Sequence, residues 1–110
     1  MDEETKFALI GSIKKWQAIA DGTGEDRGPY NCPLCKIFNT TVSFCRGCPI
    51  KETTKRFGCE RTPYEEWCNH LNYDHGVSRG MARCQICLRI ARKEVRFLKR
   101  ILDTASKEAK

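Results

Sequence analysis

The sequence lacks the features of an exported, membrane-spanning or multidomain protein. Its 110 residues fit one domain and hardly two, because each separate core needs roughly 50 residues or more. Its apolar runs, such as residues 7–10, fall far short of the ~20 residues that cross a bilayer. The opening Met-Asp-Glu-Glu does not match the basic start of an export signal. We therefore expect one domain over residues 1–110, located in the cytoplasm, with no membrane contact.

Signatures of two enzyme classes are missing as well. The Gly-x-Gly at residues 22–24 has neither the preceding strand nor the Lys-Ser/Thr of a phosphate-binding loop. No strand-helix-strand pattern surrounds any Cys-x-x-Cys, which argues against a thioredoxin-like redox protein. The sequence therefore predicts no catalytic residues and no small-molecule substrate.

Cysteine, in contrast, is abundant, with 8 residues in 110. Six of them form three Cys-x-x-Cys pairs, at residues 32/35, 45/48 and 84/87. Two intervening residues let one turn point both sulfur atoms at the same ion. In a reducing compartment such clusters hold metal more often than they form disulfides. The pattern predicts tetrahedral sites for zinc, which thiolates favour.

We expect two zinc ions. The first predicted site joins two of the Cys-x-x-Cys pairs, namely Cys32, Cys35, Cys45 and Cys48. Cys59 is a candidate substitute for Cys45 or Cys48. The second site combines a His-x4-His pair with the last Cys-x-x-Cys, giving the ligand set His70, His75, Cys84 and Cys87. Cys68 lies on the apolar face of a predicted helix and is interpreted as a core thiol.

Apolar periodicity predicts a mainly α fold. An N-terminal helix within residues 1–21 has Leu9, Ile13 and Trp16 along one seam. Residues 30–60 show no sustained helical period and are expected to form a metal-bound loop insert. A helix over residues 62–75 begins at Thr62-Pro63, with Glu65 completing a capping box. A basic amphipathic helix over residues 82–104 follows, and both C-terminal helices are expected to pack on the first.

The segment that includes most of the last helix has a larger net positive charge than the whole chain. Residues 79–100 contain eight basic residues and one acid, whereas the whole chain carries a net charge of +6. At 100° per residue one arc of this helix collects Arg89, Arg92, Lys93, Arg96, Lys99 and Arg100. Asp103 also falls on this arc, so the face is almost purely positive. Such a face predicts binding to the phosphates of nucleic acid, without any motif that would read bases.

Several motifs together resemble a group of small, uncharacterised cysteine-rich proteins of phages, bacteria and archaea. They are SIKKW at 12–16, NCPLC at 31–35, CRGCPI at 45–50, Cys59 with TPYEEW at 62–67, and EVRFL at 94–98. The resemblance implies a zinc-binding phage or mobile-element protein, which would act in the host cytoplasm. It also implies that Cys59 belongs to the motif.

We therefore predict a non-enzymatic zinc-binding protein that binds nucleic acid through its basic C-terminal helix. One alternative is a module that binds a host protein, such as a host factor or a component of a defence system. A second is a metal nuclease similar to the His-Asn-His endonucleases, suggested by Asp74-His75 ahead of Cys84 and Cys87. This alternative is weakened by the single histidine at that turn and by Leu88, which stands where an asparagine is expected.

Overall fold

The computed structural model describes residues 2–27, 31–38, 48–54, 62–71 and 84–108. In this part of the chain there are five helices and no strand: α1 (Glu3–Ala20), α2 (Pro33–Phe38), α3 (Pro49–Thr54), α4 (Pro63–His70) and α5 (Gln85–Glu108). The predicted mainly α fold is confirmed.

The long N-terminal helix α1 follows the sequence pattern closely. The Asp2 carboxylate caps it by accepting a hydrogen bond of 2.7 Å from the backbone N–H of Thr5. Leu9, Ile13 and Trp16 are buried as predicted, with 0 to 6% exposure. The helix ends at Ala20, and Gly22 then adopts a φ of 82°, which glycine accommodates without strain.

The C-terminal helix α5 packs mainly on α1 and then on α4. Its buried side includes Cys87, Ile90, Ala91, Leu98 and Ile101. Helix α4 meets α1 through aromatic rings, because Trp16 contacts both Tyr64 and Trp67 edge to face, at centroid distances of 5.7 and 5.1 Å. Both C-terminal helices therefore contact the first one, as expected.

The predicted loop insert is partly helical. Helices α2 and α3 each have six residues, and each begins with a proline that directly follows a cysteine. Proline suits the first helical position because its φ is already fixed near the helical value. The carbonyls of Cys32 and Cys48 accept the first intrahelical hydrogen bonds, from Lys36 and Glu52. Leu34 anchors α2 in the core.

The boundaries of the last two helices differ from those predicted. Helix α4 begins at Pro63 as expected, with the Thr62 hydroxyl accepting a 3.2 Å hydrogen bond from the Tyr64 N–H. It ends at His70, and residues 72–83 lie outside the described part. Helix α5 begins at Gln85 and continues to Glu108, past the expected end at residue 104. Apolar periodicity fades after Leu102, so no apolar pattern predicts the last turn of α5.

Candidate metal centres and basic surface

One close group of potential metal ligands lies where α4 ends and α5 begins. His70 is the last residue of α4, Cys84 directly precedes α5, and Cys87 lies in its first turn. The Nε2 atom of His70 is 3.2 Å from Cys84 Sγ, and the two sulfur atoms are 3.4 Å apart. One donor atom from each residue lies within 4.8 Å of the others. These three predicted ligands of the second site therefore come together.

The group is compatible with a metal ion, and its spacing can be compared with that of a tetrahedral zinc site. Zn–S distances of ~2.3 Å and Zn–N distances of ~2.0 Å place ligand atoms roughly 3.5–3.8 Å apart. The His70–Cys84 and Cys84–Cys87 separations of 3.2 and 3.4 Å are slightly shorter than this range. All three donor atoms lie within 4.8 Å of one another, which exceeds the range by no more than 1 Å. The backbone N–H of Cys87 also donates a hydrogen bond of 3.4 Å to Cys84 Sγ. His75, the fourth predicted ligand, lies outside the described residues.

Cys87 is the buried thiol of this group, and its pKa is raised. Burial, followed by the hydrogen bond to Cys84, raises the pKa of Cys87 to about 11. Cys87 is fully buried, whereas Cys84 and His70 are half-buried. A metal ion bound here would therefore displace a proton, since zinc binds the thiolate form.

The first predicted site is described in part. Cys32 and Cys35 lie close together, with the Cys35 N–H donating to Cys32 Sγ at 3.2 Å. The side-chain hydrogen bond from Cys35 is the main cause that lowers the pKa of Cys32 to about 6, and the charge of Lys15 contributes further. The Cys32–Cys35 pair is thus compatible with metal binding.

The other predicted ligands of the first site are less constrained by the structure. Cys48 is buried just ahead of α3, and among the described residues it forms no close group of three donors with Cys32 and Cys35. Its role as a ligand stays a prediction. Cys45 and its candidate substitute Cys59 lie outside the described residues. Cys68 is half-buried and packs against the core, as expected of a core thiol.

The structure shows the predicted basic face of α5, except that one of its six cations pairs with an acid of α4. Five of the six predicted cations are exposed, and we call them the basic ridge: Arg89, Arg92, Arg96, Lys99 and Arg100. Lys93 instead pairs with Glu66 of α4 at 3.1 Å. From its first to its last residue the ridge spans about 16 Å along the helix at ~1.5 Å per residue.

Sequence reasoning missed a buried polar cluster behind this surface. The carboxylate of Asp26 is 2.8 Å from the Lys15 ammonium and accepts a 3.1 Å hydrogen bond from Trp67 Nε1. Glu94 of α5 is 2% exposed, and its Oε2 atom has no hydrogen-bond partner among the described residues. The sequence indicates the burial of Glu94 by its position, because it lies four residues from both Ile90 and Leu98 on the apolar face of the helix.

No helix in the described ranges is both long and apolar enough to cross a membrane. A scan against protein-family models, a search of curated proteins and a search of solved structures each returned no match for this chain.

Proposed function

We propose that this chain is a non-enzymatic zinc-binding module that holds nucleic acid phosphates on the basic ridge of α5. One zinc ion is assigned to His70, Cys84 and Cys87 together with His75. A second is assigned to Cys32 and Cys35 with Cys45 and Cys48, for which Cys59 is the candidate substitute. Thiolate-bound zinc suits a reducing compartment, so the proposal places the protein in the cytoplasm.

The exposure of the five ridge cations on one helical face is the observation that carries the proposal. A solvated helix face normally mixes charges of both signs, and here Asp103 is the one exposed acid on the same arc. The charge remains positive when metal is counted. A zinc ion with four thiolates carries −2, and one with two thiolates and two imidazoles is neutral, so +6 falls to about +4.

The metal ion and the ridge are connected through the start of α5. His70 and Cys84 are joined by a segment of thirteen residues, and an ion bound to both would fix the end of α4 against the first turn of α5. At the middle of α5 the Glu66–Lys93 pair joins the same two helices. Zinc thus supports the helix that presents the ridge, while the ridge itself makes the phosphate contacts.

Binding to duplex DNA at several salt concentrations tests the proposal. Five phosphate contacts predict a slope of about −4.5 for the logarithm of the binding constant against the logarithm of salt. Replacing two ridge residues, Arg92→Gln with Arg96→Gln, should weaken binding and reduce the steepness of the slope by about 2.

The matched control removes the same charge from the other long helix. Lys6 and Lys14 are exposed on α1, so Lys6→Gln with Lys14→Gln changes the net charge equally without altering a ridge residue. We expect this variant to keep a slope close to that of the unmodified protein. Equal effects of the two double substitutions, or a slope near zero, would reject the assignment of the ridge.

A further inference from the structure

A groove runs along one side of the basic ridge. It lies between α4 and the middle of α5 and has a volume of about 570 Å³. Binding pockets for small organic ligands measure roughly 300–1,000 Å³. The groove therefore has room for a ligand the size of one nucleotide.

The walls of this groove differ in chemistry. Arg96 and Arg100 line it from α5, and both belong to the basic ridge. Phe97 lines it as well; this ring is half-buried against the core. From α4 come two carboxylates and one amide on exposed residues, namely Glu65, Glu66 and Asn69. Cations, an aromatic ring and hydrogen-bonding groups therefore meet in one place.

This combination matches the parts of a nucleotide. Guanidinium groups, such as those of Arg96 and Arg100, bind a phosphate with two parallel hydrogen bonds each. A base needs an aromatic partner for stacking and polar groups for its edge. The negative charges of Glu65 and Glu66 disfavour a second phosphate inside the groove. The amide of Asn69 can both donate to and accept from the edge of a base.

The groove on the other side of the ridge lacks one of these features. It has a volume of about 390 Å³, and Arg92, Arg96 and Asp21 are among the residues that line it. None of the described residues that line it is aromatic. Arg96 borders both grooves and so lies on the crest between them. The difference selects the groove beside Phe97 as the place for a base.

We propose that the groove beside Phe97 binds one unstacked base of single-stranded nucleic acid while the phosphates of that strand lie on the basic ridge. The inference rests on the proposed function and names its substrate class. In a duplex the bases are paired and stacked, so they do not reach a groove beside a helix that contacts the backbone. Single strands are therefore the preferred ligand.

Two substitutions at residue 97 test the groove in the zinc-loaded protein. Phe97→Leu keeps an apolar side chain and removes the ring, whereas Phe97→Tyr keeps a ring that stacks. We expect Phe97→Leu to lower the affinity for a 12-nucleotide single strand about tenfold and to change duplex affinity less than twofold. Phe97→Tyr should keep the affinity for the single strand.

Phe7 supplies the matched control, because it lies on α1 and is 80% exposed. Phe7→Leu makes the same chemical change and should leave both affinities unchanged. Melting temperature and zinc content, measured for each variant, identify any loss of folding. A single strand that contains 2-aminopurine adds a measurement on the unmodified protein. The fluorescence emission of 2-aminopurine should rise when this base leaves its stack and enters the groove.

The outcomes separate this inference from the proposed function. If duplex binds with the predicted salt slope but Phe97→Leu lowers both affinities equally, or lowers neither, the groove assignment fails and the ridge assignment stands. Equal loss with Phe97→Tyr and Phe97→Leu, or unchanged 2-aminopurine emission, also overturns the groove. If neither single strand nor duplex binds at low salt, the proposed function itself fails.

Discussion

The ammonium of Lys15 lies 2.8 Å from the Asp26 carboxylate, although the two side chains are only 10% and 7% exposed. The second carboxylate oxygen of Asp26 accepts a hydrogen bond from Trp67 Nε1. Trp67 in turn packs edge to face on Trp16, the neighbour of Lys15. The pair thus connects α1, the segment after it, and α4 in one buried polar contact.

Asp26→Asn should lower the free energy of unfolding by about 3 kcal/mol, because removing one partner of a buried ion pair leaves the other charge unpaired. Urea unfolding of the zinc-loaded protein measures the change. Glu25→Gln is the control, since Glu25 pairs with Arg27, whose side chain is 68% exposed. That change should cost less than about 1 kcal/mol. Equal losses would contradict a special role for the buried pair.

Glu94 makes the stability of the fold depend on pH. Burial raises its pKa from an ordinary 4.5 to about 7, while the charge of Lys15 acts in the opposite direction. The folded state therefore holds this proton more tightly than the unfolded state does. The resulting stabilisation is complete below about pH 4.5 and is lost as the pH rises through about 7.

Glu94→Gln should remove this contribution, because the amide keeps the shape of the protonated acid and does not ionise. Relative to the variant, the unmodified protein should lose stability between pH 5 and pH 8, by an amount on the order of 3 kcal/mol. Urea unfolding of both zinc-loaded proteins at matched pH gives the difference and cancels the titration of groups they share. A difference that stays constant over this range would contradict the prediction.

Local signals account for the elements that the sequence predicted well. The seam of Leu9, Ile13 and Trp16 repeats every three or four residues, and these residues are buried in α1. Thr62 and Pro63 fix the start of α4 within the chain segment itself. Such features need no information from distant parts of the chain.

Short or long-range features could not be predicted in the same way. Helices α2 and α3 have six residues each, too few to show a helical period. Their signal was the proline that follows Cys32 and Cys48. The contact between Asp26 and Trp67 joins residues 41 positions apart, so it depends on how α1 and α4 pack. No spacing rule within the sequence predicts such a partner.

The candidate metal centre combines both kinds of information. The Cys84–Cys87 spacing is local, because one turn brings the two sulfur atoms to 3.4 Å. His70 lies 14 residues before Cys84, so its approach depends on the packing of α4 against α5. The sequence supplied the candidate residues, and the fold brings three of them together.

Zinc content of the native protein tests the assignment of both centres. We expect two equivalents of zinc, falling to one in His70→Ala and in Cys84→Ser, because each change removes a ligand of the second site. A chelator should lower the melting temperature, since the bound ion stabilises only the folded state. One equivalent in the unmodified protein would support a single site. Iron in the native protein, accompanied by visible absorbance, would show that the bound metal is iron and not zinc.

Cys68→Ser is the matched control for these variants, because it removes a thiol from α4 two residues before His70. If Cys68 is a core thiol, Cys68→Ser should keep both zinc ions. The substitution should still lower the stability of the fold, because it removes the packing of the sulfur atom. Cys59→Ser should likewise keep two equivalents if Cys45 and Cys48 complete the first site. Loss of one equivalent in Cys59→Ser would instead make Cys59 a ligand, as the resemblance implies. Loss in Cys68→Ser would contradict its assignment to the core, because a thiol that only packs binds no ion.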